Sequence, residues 1–224
     1  MTAWRIKTAA LLLMACMAWP ASAAESTAPI ADLQSRAEAG DRMAMHALAE
    51  SFYVGRDGVA QDFAKAADWY GRLARLGDAR AQTSLGLMHA RGYGVPKNLA
   101  TAHRWWNFAA AQNDPGAQYN LGLTYVQGEG VTIDYARAAR WFREAAQRGH
   151  VQAQHNLGML YYEGKGVPRD PVNAYYWVRV AALQGDRVAT ESLGKIGDGM
   201  SAEQITEAES LARAWMTTAR KTLQ

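Results

Sequence analysis

Four tryptophans recur in this chain at a constant interval of 36 residues, and most other positions repeat in phase with them. The four are Trp69, Trp105, Trp141 and Trp177. A period between about 20 and 50 residues is typical of solenoid folds, in which one unit cannot bury its own apolar face and must stack on its neighbours. The interval therefore predicts a repeat protein, whose units begin at Gly40, Gly77, Asn113, Gly149 and Gly185.

Each unit has the pattern of two helices joined by a glycine turn. In the third unit, Asp114 and Pro115 form an N-cap and a first-turn proline, a position where the missing N–H costs nothing. Gly128 and Gly130 can adopt the positive φ values found where a helix ends, and Asp134 can cap a second helix. The turn glycines recur at Gly92, Gly94, Gly164 and Gly166, and the second caps at Asp62, Asn98 and Asp170.

The second helix of each unit alternates large rings with alanines. In the third unit the pattern is Ala138, Trp141, Phe142 and Ala145. Small side chains let neighbouring helices approach closely, while large rings fill the space between them. We therefore predict that the four phased tryptophans are core residues.

Residues 1–23 differ from the repeats and have the pattern of a secretory signal peptide. Arg5 and Lys7 precede an apolar run of 12 residues, which is shorter than the about 20 residues that a membrane-spanning helix needs. An Ala-Ser-Ala sequence ending at Ala23 predicts cleavage after that residue and a periplasmic or secreted mature protein. A lipobox-like stretch around Cys16 leaves a lipid anchor at that cysteine as the less favoured alternative.

The rest of the chain is predicted to be one repeat domain with a cap at each end. Residues 24–39 form the N-terminal cap, and residues 40–196 carry about four and a half repeats. Residues 197–224 begin with a break in phase, after which Ser201 and Gln204 form a capping box that starts a final helix. The expected fold class is an all-α solenoid of helix-turn-helix repeats with a C-terminal capping helix.

Composition and charge argue against several functional classes. The chain has 24 Lys and Arg against 21 Asp and Glu, and loss of residues 1–23 removes two of the basic residues, so the mature charge is close to zero. No basic stripe is present to neutralise phosphates, which argues against a nucleic-acid partner. No later segment is long enough to span a membrane. The glycine pairs precede valine rather than Lys-Ser or Lys-Thr, so no cofactor is expected.

The repeat motif carries a family resemblance. Ala-x-x-x-Leu-Gly-x-x-Tyr is followed by Gly-x-Gly-Val-x-x-Asp, and then by Ala-x-x-Trp-Tyr or Trp-Phe with Ala-Ala. This unit is similar to the Sel1-like repeat, a longer relative of the tetratricopeptide repeat, over residues 40–196. The resemblance implies an α/α superhelix that acts as an adaptor for other proteins. Exported bacterial members are associated with signalling, envelope assembly or host contact.

Reactive residue types are present, but not in catalytic patterns. Ser192 and Lys195 match the Ser-x-x-Lys of penicillin-recognising enzymes, yet the companion motifs are missing, and Ser192 occupies the repeat position of Asn120 and Asn156. The five histidines include no His-x-x-x-His pair. We therefore expect no metal site and predict that the protein is not an enzyme.

Variable residues on the first helices form the candidate binding surface. Asn120 and Asn156 stand directly before Leu-Gly in adjacent units. In the related tetratricopeptide domains, asparagines in this phase hold the backbone or terminal carboxylate of an extended ligand. Tyr119 and His155 precede them and complete the candidate set. No lysine stands one turn earlier, so a carboxylate clamp is not expected, and asparagine is as compatible with a structural role as with binding.

Two functions follow from this surface. The first is a non-catalytic adaptor in the cell envelope or secreted, whose concave groove binds a segment of a protein partner. The alternative is a glycan-associated envelope protein that stacks sugars on exposed aromatic rings. The candidate rings are Trp106, Tyr93, Tyr161 and Tyr162. The exposure of these rings discriminates between the two functions.

Overall fold

A computed structural model describes residues 30–222, and this range consists of helices and their connections. The helices are α1 (Ile30–Glu38), α2 (Arg42–Val54), α3 (Phe63–Arg75), α4 (Ala79–Arg91), α5 (Leu99–Ala111), α6 (Pro115–Gln127), α7 (Tyr135–Gln147), α8 (Val151–Glu163), α9 (Pro171–Leu183), α10 (Arg187–Gly197) and α11 (Ala202–Thr222). The predicted all-α repeat solenoid is confirmed. The chain divides into two compact units, one ending at Trp69 and one starting at Tyr70, with the boundary inside α3.

The repeats alternate two kinds of helix. We call α2, α4, α6, α8 and α10 the first helices, and α3, α5, α7 and α9 the second helices. Asp114 Oδ1 accepts a hydrogen bond from the Ala117 N–H at 2.8 Å, and Pro115 stands in the first turn of α6. The predicted caps of the second helices are also confirmed, at Asp62, Asn98, Asp134 and Asp170.

The compact unit that ends at Trp69 contains α1, α2 and the start of α3. α2 begins after Asp41, whose Oδ1 accepts hydrogen bonds from two backbone N–H groups of the first turn at 2.9 and 3.2 Å. Asp41 also pairs with Arg36 on α1 at 2.7 Å. The turn after α2 departs from the Gly-x-Gly pattern: Asp57 adopts a φ of 61°. Its carboxylate accepts a hydrogen bond from the buried Ser51 hydroxyl at 2.6 Å, which holds this longer turn in place.

Glycines end the first helices α4, α6 and α8, as predicted. Gly128 has a left-handed φ of 72° at the end of α6, and Gly92 and Gly164 end α4 and α8 in the same conformation. Gly166, the second glycine of its turn, lies so close to the backbone of Tyr135 that a Cβ atom would overlap it. Glycine is required at this position for two reasons: the backbone has a positive φ of 70°, and a side chain would prevent the close packing of this repeat on the previous one.

The core forms where rings of the second helices meet the glycine of the Leu-Gly motif. A Cβ atom on Gly86 would lie 2.5 Å from Trp106 Nε1, and one on Gly122 would lie 2.5 Å from Phe142 Cδ1. The two rings are only 4% and 1% exposed. The absence of a side chain at these glycines lets the large rings reach the backbone of the first helix, which gives the close packing of a protein interior.

The prediction that all four phased tryptophans are core residues is wrong for two of them. Trp69 and Trp177 are buried, but Trp105 and Trp141 are only partly buried. In those two repeats the buried ring belongs to the next residue, Trp106 or Phe142. Both positions are aromatic there, and the one facing the glycine of the first helix is the one that is buried.

Helix α11 follows the last repeat and packs on α9. The predicted capping box is present, because the Ser201 N–H donates to Gln204 Oε1 at 3.0 Å and the Gln204 N–H donates to Ser201 Oγ at 3.3 Å. Glu209 of α11 pairs with Arg179 of α9 at 2.9 Å, and Ala208 is fully buried. The contact combines small apolar residues with one ion pair.

The signal peptide predicted at residues 1–23, the cleavage after Ala23 and the alternative anchor at Cys16 all lie outside the described residues. Between residues 30 and 222, no helix combines the length and the apolar character needed to cross a membrane. In the region predicted as the N-terminal cap, α1 buries Leu33 and Ala37.

Candidate functional site

The four candidate residues lie on two successive first helices, Tyr119 and Asn120 on α6 and His155 and Asn156 on α8. Their environments differ. Asn120 and Asn156 are partly exposed, and neither side-chain amide forms a hydrogen bond with another residue of the described chain. Tyr119 and His155 are each 7% exposed and take part in contacts between repeats. The asparagines are therefore available to a ligand, whereas Tyr119 and His155 are mainly packed inside.

A recurring interaction joins each of the first helices α4, α6 and α8 to the start of the next first helix. The Tyr119 ring stacks on the His150 ring, with centroids 4.4 Å apart and planes inclined by 20°. One repeat earlier, the Thr83 hydroxyl donates a hydrogen bond to Asp114 Oδ1 at 2.8 Å. One repeat later, the charge of Asp186 acts on His155. We call these interactions the junction pairs: Thr83–Asp114, Tyr119–His150 and His155–Asp186.

His150 is the N-cap of α8. Its Nδ1 accepts a hydrogen bond from the Ala153 N–H at 3.3 Å, in the role that aspartate oxygens have in the neighbouring repeats. Burial lowers the pKa of His150 from 6.5 to about 4. The imidazole is thus neutral at physiological pH, and its Nδ1 must be unprotonated to accept this bond.

His155, Ser192 and Asp186 form a second cluster, between α8 and α10. His155 Nε2 lies 3.2 Å from Ser192 Oγ, and the Ser192 hydroxyl donates to the Val188 carbonyl oxygen at 2.8 Å. Burial lowers the pKa of His155, and the negative charge of Asp186 partly opposes this shift. Since the serine proton is already directed to Val188, the remaining interaction has His155 Nε2–H donating to Ser192 Oγ.

This cluster has the residue types of a catalytic triad but lacks the surroundings of one. Ser192 lies in the interior of α10, where backbone N–H groups bond to the carbonyls of the preceding turn. Acyl transfer needs free N–H donors beside the nucleophile to stabilise the developing oxyanion. The cluster therefore joins two helices, and Ser192 has no oxyanion-stabilising donors within its own helix.

The residues one helical turn before the two candidate asparagines are uncharged. Gly116 and Gln152 occupy those positions on α6 and α8, and both are partly buried. Among the described residues, no group of three or more histidine, cysteine, aspartate or glutamate side chains is arranged to hold a metal ion. The surface offers neutral amide groups as its main polar recognition elements.

The aromatic rings considered for sugar stacking are less accessible than that alternative requires. Trp106 is wrongly placed in this set, because it is 4% exposed and its Nε1 donates to a backbone carbonyl of α4 at 3.2 Å. The Tyr161 hydroxyl is bonded to Arg143 at 3.0 Å, and two cationic side chains lie 6.0 and 5.8 Å from the Tyr162 ring. Tyr93 is also only partly exposed. The glycan alternative is left with three partly buried tyrosines.

The junction pairs were not predicted from the sequence, although a signal for one of them is present. At the first-helix N-cap, His150 replaces the aspartate found at Asp78, Asp114 and Asp186, and the residue that it contacts changes from threonine to Tyr119. These two changes occur in the same junction. A single sequence shows both substitutions but does not show that the two positions touch.

The fold and this surface define a helical repeat scaffold. The Sel1 repeat family model matches residues 42–78, 79–114, 115–150 and 151–186, and the chain belongs to this family. Sel1 repeats form a non-catalytic scaffold family whose members generally mediate protein interactions. A comparison with functionally curated proteins gives no significant match.

Solved structures of Sel1 repeat proteins resemble this chain. The Escherichia coli protein c5321, described as a protective antigen present in uropathogenic strains and displaying an SLR fold, is 35% identical with a TM-score of 0.78. The match covers 84% of this chain but 40% of c5321, so the chain spans less than half of that protein. A Sel1 repeat protein from Oxalobacter formigenes is 30% identical with a TM-score of 0.72, over 86% of this chain and 78% of its own.

A more distant structure shares the fold alone. The immunity protein Pa5087 from Pseudomonas aeruginosa is 22% identical, with a TM-score of 0.52 over 86% of this chain and 72% of its own length.

Proposed function

We propose that this protein is an adaptor of the cell envelope or a secreted adaptor, and that it binds an extended segment of a protein partner along its first helices through Asn120 and Asn156. The observation that carries this proposal is the pair of partly exposed amides at the same position of successive repeats, neither of which is bonded within the described chain. Membership of a family of interaction scaffolds supports it.

The chemistry of the side-chain amide favours recognition of a peptide backbone. An asparagine offers one carbonyl acceptor and two N–H donors, which complement the N–H and C=O groups of an extended chain. The neutral neighbours Gly116 and Gln152 supply no charge for a terminal carboxylate. The partner segment is therefore expected to lie inside the partner's chain and not at its terminus. It would be recognised through hydrogen bonds to its backbone, and the spacing of the repeats would determine which of its residues are contacted.

The experiment replaces both asparagines and compares partner capture with folding. In the Asn120→Ala and Asn156→Ala double variant, each lost hydrogen bond is expected to weaken binding by about 0.5–1.5 kcal/mol. Stability should hardly change, because neither amide has a partner to lose. Capture is measured by crosslinking in the native envelope followed by mass spectrometry, and folding by thermal unfolding followed by circular dichroism.

Asn107 provides the matched control. It is an exposed asparagine on α5, a second helix, and its Nδ2 donates only to a backbone carbonyl of its own helix at 2.7 Å. Asn107→Ala should leave partner capture intact. The same proteins captured by the wild type and by the double variant would rule out the surface, and a large loss of stability in the double variant would instead assign the asparagines a structural role.

Tyr119 and His155 are proposed to act by positioning the two asparagines. Because both side chains are buried in contacts between repeats, their replacement by alanine should lower stability and partner capture together. A variant of Tyr119 or His155 that binds less at unchanged stability would show direct contact with the partner.

We also propose export of the protein by a signal peptide cleaved after Ala23. The basic and apolar pattern of residues 1–23 supports this location, as does the description of the E. coli relative as a protective antigen. Intact mass of the protein from its native host tests the proposal. A mass beginning at Ala24 is expected, whereas a lipid increment on Cys16 would indicate membrane anchoring.

A further inference from the structure

Helix α8 differs from the other first helices in the residue that caps its N-terminus. The other four first helices of the described chain are capped by aspartates, at Asp41, Asp78, Asp114 and Asp186. α8 is capped by the half-buried His150 and carries a buried histidine, His155, about one and a half turns further on. The two histidines contact α6 and α10, so both junctions of this helix depend on an imidazole.

Protonation is incompatible with the role of His150. A protonated imidazole donates from both nitrogens, so Nδ1 could no longer accept the hydrogen bond of the Ala153 N–H. The new positive charge would also lie at the positive end of the helix dipole, where an aspartate is favourable. Acid therefore removes the cap and adds a repulsion at the same point.

The groups around His150 supply no compensating negative charge. Tyr119 stacks on its ring from α6. Arg148, at the end of α7, is bonded to Glu144 at 2.9 Å and to the Asn113 side chain, so the Glu144 carboxylate already has a cationic partner. Burial lowers the pKa of His150, and a backbone hydrogen bond of the same residue opposes this shift only in part.

At His155, burial and a nearby negative charge have opposite effects on the pKa. Asp186 faces it from α10 and favours the charged form, but burial outweighs this attraction, and the pKa of His155 is also lowered. Its Nε2 contact with Ser192 Oγ holds α8 beside α10. The charge of an imidazolium at this buried site must be desolvated, which again weakens the folded junction in acid.

We propose that acidification loosens α8 from α6 and α10 through protonation of His150 and His155, and so releases a partner held by Asn120 and Asn156. The release part of this inference rests on the proposed function, whereas the loosening of α8 does not. Asn120 directly follows Tyr119, and Asn156 directly follows His155. Movement at the two junctions therefore changes the spacing between the two amides on which an extended ligand depends.

The test is hydrogen exchange of backbone amides in the full chain, followed by mass spectrometry. For a group with a pKa of 6.5 when unfolded and about 4 when folded, the opening constant of α8 should rise about 30-fold between about pH 7.5 and about pH 5. Protection factors, which correct for the intrinsic effect of pH on exchange, should fall by this factor in α8. They should fall less in α4, whose junction is the Thr83–Asp114 pair.

Two variants separate the cause from general acid effects. His150→Asp restores the cap residue of the other first helices and should remove most of the 30-fold change. His89→Gln replaces a histidine whose ring contacts a carbonyl oxygen of its own repeat at 3.4 Å, and it should behave like the wild type.

Equal loss of protection in the wild type and His150→Asp, or full protection of α8 at about pH 5, would overturn the proposal. Because this readout contains no partner, it is independent of the asparagine experiment, and either can fail without the other.

Discussion

The side-chain Nε2 of Gln184 donates a hydrogen bond to Gln154 Oε1 at 2.6 Å and joins the end of a second helix to the first helix of the same repeat. Two repeats earlier in the chain, Gln112 and Gln82 form the same bond at 2.9 Å. In the repeat between them the partner position holds Arg148, and the buried Oε1 of Gln118 has no hydrogen-bond partner in the structure. One bond of a regular ladder is therefore missing.

Arg148→Gln should restore this bond and stabilise the protein. An unsatisfied buried carbonyl costs about 1–3 kcal/mol. The substitution also loses the contacts of Arg148 with Glu144 and Asn113, but these are largely exposed and contribute at most about 1 kcal/mol. We expect a net gain of about 0.5–1.5 kcal/mol in urea unfolding.

Gln184→Ala is the matched control for this prediction. It removes the existing bond to Gln154 and should destabilise the protein by about 1–3 kcal/mol, because Gln154 is fully buried. A neutral effect of both substitutions would mean that the glutamine ladder does not contribute to stability.

Alanine should have opposite effects at two glycines that share one position of the repeat. In Gly122→Ala the new Cβ would lie 2.5 Å from the Phe142 ring, whereas in Gly194→Ala it would meet nothing within 4 Å. Overpacking at Gly122 should cost about 1–3 kcal/mol. At Gly194 the better helix propensity of alanine should stabilise by about 0.5–1 kcal/mol. Thermal unfolding of the two variants measures the difference, and equal shifts would contradict the packing described for the Leu-Gly motif.

A comparison of Trp106 on α5 with Trp141 on α7 tests which ring position of the second helices belongs to the core. Trp106→Ala should lower the free energy of unfolding by about 3–5 kcal/mol, because the ring is 4% exposed and its Nε1 bond is lost as well. Trp141→Ala should cost clearly less, since that ring is only partly buried. Chemical denaturation gives both values. A larger effect at Trp141 would restore the view that the phased tryptophans are the main core residues.

Two arginines pair with the same carboxylate, and only one should matter for the C-terminal helix. Arg179 on α9 lies 2.9 Å from Glu209, with a side chain 32% exposed, whereas Arg213 lies 3.4 Å away and is 75% exposed. Arg179→Ala leaves the 17% exposed Glu209 with a weaker partner and should destabilise by about 1–2 kcal/mol. Arg213→Ala should change stability by less than about 0.5 kcal/mol. Hydrogen exchange of α11 shows whether that helix is the part affected.

The helical repeat architecture is predictable from the sequence, because the relevant signals are local and repeated. Aspartates at helix starts, glycines at helix ends and alanines between rings each depend on neighbours within one repeat, and the fixed period shows that they recur. The caps at Asp114 and Asp134 and the turn at Gly128 are therefore predictable from the sequence alone. The candidate asparagines are predicted from their phase in the repeat, and their role in binding stays a prediction.

Which side chains meet across repeats depends instead on how the helices pack. Trp105 and Trp106 are adjacent and chemically identical, and it is the packing against Gly86 that buries the second one. His150 is read as an unusual cap in the sequence, but its stacking on Tyr119 depends on how α6 and α8 are placed side by side. Contacts between residues some 30 positions apart are set by helix orientation, and one sequence carries no direct signal for it.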